Sequence, residues 1–313
     1  MKKILILKLG YTETLESALS FTTSLGDVLR TTAILHFFKN DQVTWLVDEK
    51  AQPLLEHNPL IQRVLVYDPR RIAQLTQERF DTVINLEKLP EICLLAESIQ
   101  CSRYLGFRVG HSRPGEDAGT RRLEELAQST DKRRVNKDCW QKVLADALGE
   151  TWAGEPYVLG YHPVSPQSYD VGFNWATGTK WTNKAWSTEN WRVLESLLKD
   201  DFSVTWQRGL SSITEYIEWI NSCGLLVTSD SLGLHIALAL GKRVVALFGP
   251  TSPHEIYFYG LGSYVLPESG YGCIPCLNPY CTQPRQCMEF IAPEKVKERI
   301  IDEFKRPARP CQV

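Results

Sequence analysis

Leu225-Leu226-Val227-Thr228-Ser229-Asp230-Ser231-Leu232-Gly233-Leu234-His235-Ile236-Ala237-Leu238-Ala239-Leu240-Gly241-Lys242-Arg243-Val244-Val245-Ala246-Leu247-Phe248-Gly249-Pro250 is the stretch that decides the fold. Leu225–Thr228 is a short apolar run, the pattern of a strand buried on both faces. Leu234–Leu240 reads as a helix and Val244–Phe248 as a second buried strand. A strand, a tight loop, a helix and another strand form a parallel crossover unit. The loop that opens the helix is Asp230-Ser231-Leu232-Gly233. N–H groups at a helix start, with the helix dipole behind them, attract an anion. Ser231 adds a hydroxyl, and Gly233 allows close backbone approach. Asp230, at the strand end, suits either a ligand hydroxyl or the helix cap. On this fragment alone, capping by Asp230 or Ser231 and ligand binding are both open. A single histidine such as His235 is more often structural than catalytic.

The same alternation runs outward in both directions. Towards the C-terminus it ends in a helix, Pro293–Phe304, with proline at its start. Towards the N-terminus lie strand Val171–Asn174, helix Thr188–Leu198, strand Ser203–Trp206 and helix Ile213–Asn221. Before them, Glu150–Ser168 is rich in Pro, Gly and Ser and marks a boundary. The first half alternates too. Strands are expected at Ile4–Leu9, Val43–Val47, Val64–Tyr67, Thr82–Leu86 and Tyr104–Val109. Helices are expected at Asp27–Lys39, Ile72–Arg79 and Trp140–Leu148, the last stopped by Gly149. The reading is therefore α/β, with two Rossmann-like parallel-sheet domains, 1–155 and 156–313, the second carrying a Cys-rich loop at 273–287. Two such domains place carboxyl-end crevices opposite each other, which suits a two-substrate reaction.

Bulk properties exclude several classes. The 313 residues are 43% apolar and 23% charged, an ordinary globular mixture. A net charge of −2 excludes a general nucleic-acid coat. Met1–Leu9 is too short in apolar length for a signal peptide and has no small-residue cleavage site, so a buried strand and a cytoplasmic protein are expected. Arg103–Lys137 holds nine Lys/Arg against five Asp/Glu, either a solvated face or a patch for an anionic acceptor.

Two further segments carry chemistry. Asn174–Trp191 runs from a strand through a polar loop, with Thr179, Lys180 and Lys184, into a helix that the Thr188 hydroxyl could cap. Lysines on such a loop can neutralise a leaving phosphate. Lys180 fits exposed decoration better than Lys184, which lies between Trp181 and Trp186. In Ser24-Leu25-Gly26-Asp27-Val28-Leu29-Arg30, Asp27 is either a helix cap or a general base. The chain contains no Asp-x-Asp, which argues against a donor carried on a divalent metal.

Together these segments resemble glycosyltransferase family 9, the heptosyltransferases of lipopolysaccharide and related glycan assembly. The resemblance rests on Leu25–Arg30, on Lys184-x-Trp186 with Trp191, on Asp230–His235 and on Val244–Thr251, in that order along nearly the whole chain. It implies a GT-B fold and inverting sugar transfer with no cofactor for catalysis. Asp27 would be the base. Lys184 would stabilise the leaving diphosphate. Asn174, Thr179, Lys180, Asp230, Ser231, Leu232, Gly233, His235 and Thr251 would bind the donor, with ADP-heptose the usual one. Arg30, and Glu13 on the Gly10–Thr23 insertion, would contact the acceptor: a glycan, a lipid-linked glycan or a protein. Peripheral contact with the inner face of the membrane fits a lipid-linked acceptor. The family usually runs from its first strand almost directly to the Gly-Asp turn, and often has Asp-Thr-Gly where Asp230-Ser231-Leu232 stands here. Gln207-Arg208-Gly209 stands where a nucleotide-facing turn is expected.

Cys273, Cys276, Cys281 and Cys287 could close a tetrahedral knuckle around structural zinc or iron, or could be reduced thiols on a short loop or a partial disulfide set. Relatives that glycosylate autotransporters resemble the chain in carrying an iron-bound cysteine cluster. The rival functions are a transferase using another nucleotide sugar, a non-catalytic nucleotide-sugar binder, and an epimerase or dehydrogenase. The last needs Gly-x-Gly-x-x-Gly after the first strand, and Leu7–Gly10 has none.

Overall fold

The computed structural model describes residues 1–11, 19, 21–110, 118–209 and 212–307. The chain divides into two compact units, Met1–Tyr161 and His162–Val313. Residues beyond 155 belong to the first unit for a plain reason. Asn58 Nδ2 donates to the Val158 carbonyl at 2.8 Å, the Val158 N–H donates to Thr32 Oγ1 at 2.9 Å, and the Gly160 N–H reaches the Leu54 carbonyl at 2.9 Å.

In unit 1 the strands are β1 Lys3–Leu7, β2 Gln42–Val47, β3 Arg63–Val66, β4 Arg79–Asn85 and β5 Gln100–Gly106. Its helices are α1 Leu25–Thr31, α2 Gln52–Leu55, α3 Pro69–Leu75, α4 Pro90–Ser98, α5 Ala118–Gln128, α6 Thr130–Val135 and α7 Trp140–Leu148. All strands are parallel, in the order β3-β2-β1-β4-β5. Ile4, Ile6, Val43, Trp45 and Ile84 feed one buried face, and Leu5, Leu7, Leu46, Leu65 and Val83 the other. Both faces are covered, which is why these strands read as continuous apolar runs.

Unit 2 holds β6 Tyr169–Asn174, α8 Thr188–Leu198, β7 Val204–Trp206, α9 Ile213–Asn221, β8 Cys223–Ser229, α10 Leu232–Ala239, β9 Arg243–Leu247, β10 Gly262–Val265 and α11 Pro293–Lys305. Its sheet is also fully parallel, in the order β10-β9-β8-β6-β7. The strand order therefore reverses between β1 and β4 in unit 1, and between β6 and β8 in unit 2. In open α/β sheets ligands bind at that reversal, beyond the carboxyl ends of the strands.

Several local expectations change. Asp27–Lys39 is not one α-helix: α1 ends at Thr31 and tightens into 3-10 turns over Thr32–Phe38. There Thr31 and Thr32 hydroxyls donate to the carbonyls of Asp27 and Leu29, the side-chain competition that disfavours a regular helix. α3 starts earlier than Ile72, at Pro69, because Asp68 accepts the N–H groups of Arg70 and Arg71. The cap of α8 is Ser187, which accepts from Asn190 N–H, and not Thr188. The charged stretch before Lys137 contains α5 and α6, whose few apolar residues (Leu123, Leu126 and Ala127) join the unit 1 core. Gly149 does close α7, at φ 74°.

Candidate functional site

In unit 2, β6 ends at Asn174 beside Thr228 of β8, so the loops leaving these two strands meet at the sheet's reversal. Asn174 Nδ2 donates to Thr228 Oγ1 at 2.7 Å and to Ser231 Oγ at 3.0 Å, while Tyr216 OH donates to Asn174 Oδ1 at 2.7 Å. Asn174 is thus a satisfied strut that fixes the Ser231 turn. Ser231 occupies the cap position of α10, but its hydroxyl serves Asn174 and Thr228 and makes no cap bond. Gly233 has a packing reason. A Cβ there would strike Asn174 Nδ2 and lie 2.5 Å from Tyr216 OH. The close approach is to the protein's own network beneath the helix.

Above this strut, Lys184 Nζ donates to Asp230 Oδ2 at 2.9 Å and to the Asp230 carbonyl at 3.0 Å. The ammonium also sits 4.7 Å from the centre of the Trp181 ring. Lys184 reaches this point because Thr179–Lys184 coils into short 3-10 turns, kinked at Trp181, and Trp186 pins the loop's exit with Nε1 on the Ile291 carbonyl at 3.1 Å. Burial alone would raise the Asp230 carboxyl. The charges of Lys184 and His235, with the hydrogen bond from Lys184, hold it well below the usual carboxylate range. His235 and Thr251 are buried, Leu232 opens α10 and Thr179 is exposed. Lys180 is buried, so it is not exposed decoration. The structure gathers Asn174, Lys184, Asp230, Ser231, Gly233, His235 and Thr251 around one loop pair.

In unit 1, Asp27 stands at the third position of α1, inside the helix rather than at its cap, which is Ser24. It is buried against two cations. Lys8 Nζ forms an ion pair with Asp27 Oδ2, and Arg30 reaches Oδ1 through Nε at 2.8 Å and through its terminal nitrogen at 2.6 Å. Burial would raise this carboxyl, but Lys8 and Arg30 together keep it well below its ordinary range. Arg30 lies over the Trp140 ring at 5.1 Å, and Arg133 approaches the same ring at 5.6 Å. Lys8 and Glu87 escape notice in the sequence. Glu87 lies 3.6 Å from Lys8 and accepts the N–H groups of Leu9, Gly10 and Tyr11 at 2.7, 2.6 and 3.3 Å. The available signal was a lysine closing an otherwise apolar strand and an acid just after β4.

The long insertion leaves Asp27 in place. The Ser24 N–H donates to the Gly10 carbonyl at 2.8 Å, so the chain departs and returns at one point. Gly10 has φ 98°, and a Cβ there would crowd Ser24 at 3.0 Å. Glu13 lies outside the described residues.

Among the described residues no three Cys, His, Asp or Glu side chains converge to hold a metal ion. Cys273, Cys276, Cys281 and Cys287 are free thiols, and burial pushes Cys287 up to about 11. What the loop does is brace unit 2's site. Its Asn278 carbonyl accepts Asn183 Nδ2 at 2.8 Å, and the Leu277 N–H donates to the Pro250 carbonyl at 2.7 Å.

The model of glycosyltransferase family 9 (heptosyltransferase) matches residues 209–285, which include the Asp230–His235 loop. The lipopolysaccharide heptosyltransferase 1 of Pseudomonas aeruginosa is 23% identical over 85% of this chain and 87% of its own. The chain is therefore similar to glycosyltransferase family 9. A lipooligosaccharide heptosyltransferase 2 of Campylobacter jejuni is 33% identical to this chain, in a match spanning 25% of each. The structure of the E. coli ADP-heptose LPS heptosyltransferase II superimposes with a TM-score of 0.65 at 15% identity, over 97% of this chain and 98% of that one. The chain has the GT-B fold of those enzymes and is a glycosyltransferase.

Proposed function

We propose that this glycosyltransferase moves heptose from ADP-heptose, with inversion, onto a hydroxyl of a glycan, a lipid-linked glycan or a protein. The observation that carries the reading is the Lys184–Asp230 pair, set where β6 and β8 diverge and beside the start of α10. A diphosphate arriving there meets a buried ammonium already positioned by Asp230 and Trp181. That preorganisation favours the charge that develops as the glycosidic bond breaks. Buried Lys180 adds a second cation on the same loop. Asp230 and His235 then contact the donor, and Ser231, Leu232 and Thr251 line the turn.

Asp27 is the base in this reading. Lys8 and Arg30 keep it ionised at any working pH, so it is always ready to accept a proton, although weakly basic. A weak base takes the proton late, when the hydroxyl oxygen has largely bonded to the anomeric carbon and its proton has become acidic. Arg30 is held by Asp27 and Trp140, so any contact it makes with an acceptor is shared with the base. No step needs a metal, and the cysteine loop has a bracing role. No described helix is long and apolar enough to cross a membrane; a cytoplasmic enzyme in peripheral contact with the membrane face fits a lipid-linked acceptor.

The test is transfer from ADP-heptose to a heptose-deficient lipopolysaccharide core, followed by mass spectrometry. Wild type should add one heptose, and Asp27→Ala should bind the donor without adding it. Donor binding by wild type with no transfer to glycan, lipid-linked glycan or protein acceptors would leave a sugar-nucleotide binder rather than an enzyme for this donor.

A further inference from the structure

Unit 2 carries a second cavity that the transfer site does not use. It has a volume of about 410 Å³ and is lined by Trp175, Thr188, Arg192, Glu195, Trp206 and Gln207. That size falls in the ~300–1,000 Å³ range of small-molecule sites. It lies at the carboxyl ends of β6 and β7, against the first half of α8. The Lys184–Asp230 pair sits on the other side of β6, towards β8.

Its walls are built. Trp206 packs on Phe173 with ring centres 5.3 Å apart, and its Nε1 donates to Glu195 Oε1 at 2.7 Å. Trp175 Nε1 donates to the Gln207 carbonyl at 2.9 Å. Both indole N–H groups are therefore spent within the protein, which fixes the rings and leaves their faces as contact surface. The two rings stand edge to face, with centres 6.4 Å apart. Trp175 is 39% exposed, although it sits on a buried strand end where a large aromatic could have been covered.

The polar groups point the same way. Gln207 is only 6% exposed, and its Oε1 is buried without a hydrogen-bond partner. A buried acceptor left unmatched calls for a ligand or water donor. Arg192 supplies donors, Glu195 an acceptor and Thr188 a group that can do both. A pyranose ring matches this set. Its C–H faces lie on indole, and its hydroxyls each donate and accept. We propose that this cavity is a carbohydrate-binding subsite for one sugar ring, separate from the Lys184–Asp230 site. It does not depend on the roles given to Asp27 and Lys184. The ring can come from an acceptor glycan or from the donor's own sugar, and the chemistry is the same.

Saturation-transfer NMR on the full chain tests this, with the methyl glycosides of glucose, galactose, mannose and heptose as probes. At least one glycoside should receive saturation through its ring protons. Trp175→Ala, at an exposed position and with folding checked by thermal melt, should weaken that binding roughly tenfold. Gln207→Leu should do the same, and should it not fold, Arg192→Ala takes its place. Displacement by a core oligosaccharide identifies the acceptor as the source; displacement by ADP-heptose but not by ADP identifies the donor sugar. Three results overturn the proposal: no saturation of any glycoside, displacement by ADP alone, or adenosine saturation that Trp175→Ala abolishes, which would make this a nucleobase pocket.

Discussion

The two units put an aspartate beside a buried lysine at the point where the strand order reverses, yet they hold it differently. In unit 1, Asp27 is clamped by Lys8 and Arg30, and Glu87 takes a share of Lys8. In unit 2, Asp230 has Lys184 and the nearby His235, and its side chain keeps 16% of its surface. Unit 1's cluster is closed in on itself, with three backbone N–H groups spent on Glu87. Unit 2's pair sits on the edge of a turn whose own polar atoms are tied below it to Asn174. The closed arrangement suits a group that must stay ionised and fixed. The edge arrangement suits one that exchanges a protein partner for a ligand.

The sharpest way to break this comparison is through turnover. Asp27→Asn keeps the shape but cannot take a proton, and should lower kcat by roughly 10²–10⁴-fold, the span of general base catalysis. Donor affinity, read by calorimetry with ADP, should hardly move. Lys184→Met should lower kcat by a similar factor but also weaken ADP binding. Equal ADP affinity in the two variants would mean that Lys184 does not meet the diphosphate.

Stability separates the units next. Lys8→Met leaves Asp27 and Glu87 buried with less compensation, and breaking such a pair costs about 3–5 kcal/mol. Lys184→Met should cost less, about 1–3 kcal/mol, because Asp230 can turn to water. Urea unfolding gives both numbers, and a Lys184→Met cost equal to that of Lys8→Met would erase the distinction. The pH dependence should differ too. Both aspartates lie below their usual range, so their contribution to each unit should be lost as pH falls below about 4, through the depressed values. Against its burial, Asp27 and Glu87 raise the Lys8 ammonium above its ordinary range. Its contribution is full below about pH 10.5 and fades as pH climbs past the folded value, so unit 1 should also loosen on the alkaline side. Amide exchange in β1 followed across pH would show whether that second limb exists.

Much of this contrast could be anticipated from the chain. Buried parallel strands announce themselves as apolar runs, and Asp27, Lys184 and Asp230 stand at loop–helix junctions where chemistry concentrates. The partners were harder. Glu87 lies 60 residues from Asp27, and only the β1–β4 pairing brings them together. Gly233 looked like a glycine for a ligand because nothing in its neighbourhood along the chain points to Tyr216. The cysteine spacing allowed a metal knuckle, but spacing does not say where four side chains turn. Among the described residues no metal-ligand group forms, and the loop leans on Pro250 and Asn183.

Gly233→Ala probes the strut under unit 2's turn. Its methyl would drive into Asn174 and Tyr216, an overpacking cost of about 1–3 kcal/mol. Since Asn174 also fixes Ser231, ADP affinity should fall with stability, whereas an equally destabilising change in the unit 1 core should leave it alone.

The smallest effect should come from Asn183, the link between the lysine loop and the cysteine loop. Asn183→Ala removes one hydrogen bond, worth about 0.5–1.5 kcal/mol. The Asn278 carbonyl keeps a weak donor in the Cys276 thiol at 3.8 Å. Against the lost bond, Asn183 Oδ1 is buried with no partner, so truncation removes an unsatisfied acceptor as well. The two nearly offset, and the melting temperature should shift little. What should change is order in the loop: Lys184 loses a brace one residue away, and KM for the donor should rise a few-fold with kcat almost unchanged. A variant with unchanged KM would show that Trp181, Trp186 and Asp230 hold Lys184 unaided, and that the cysteine loop braces only Pro250.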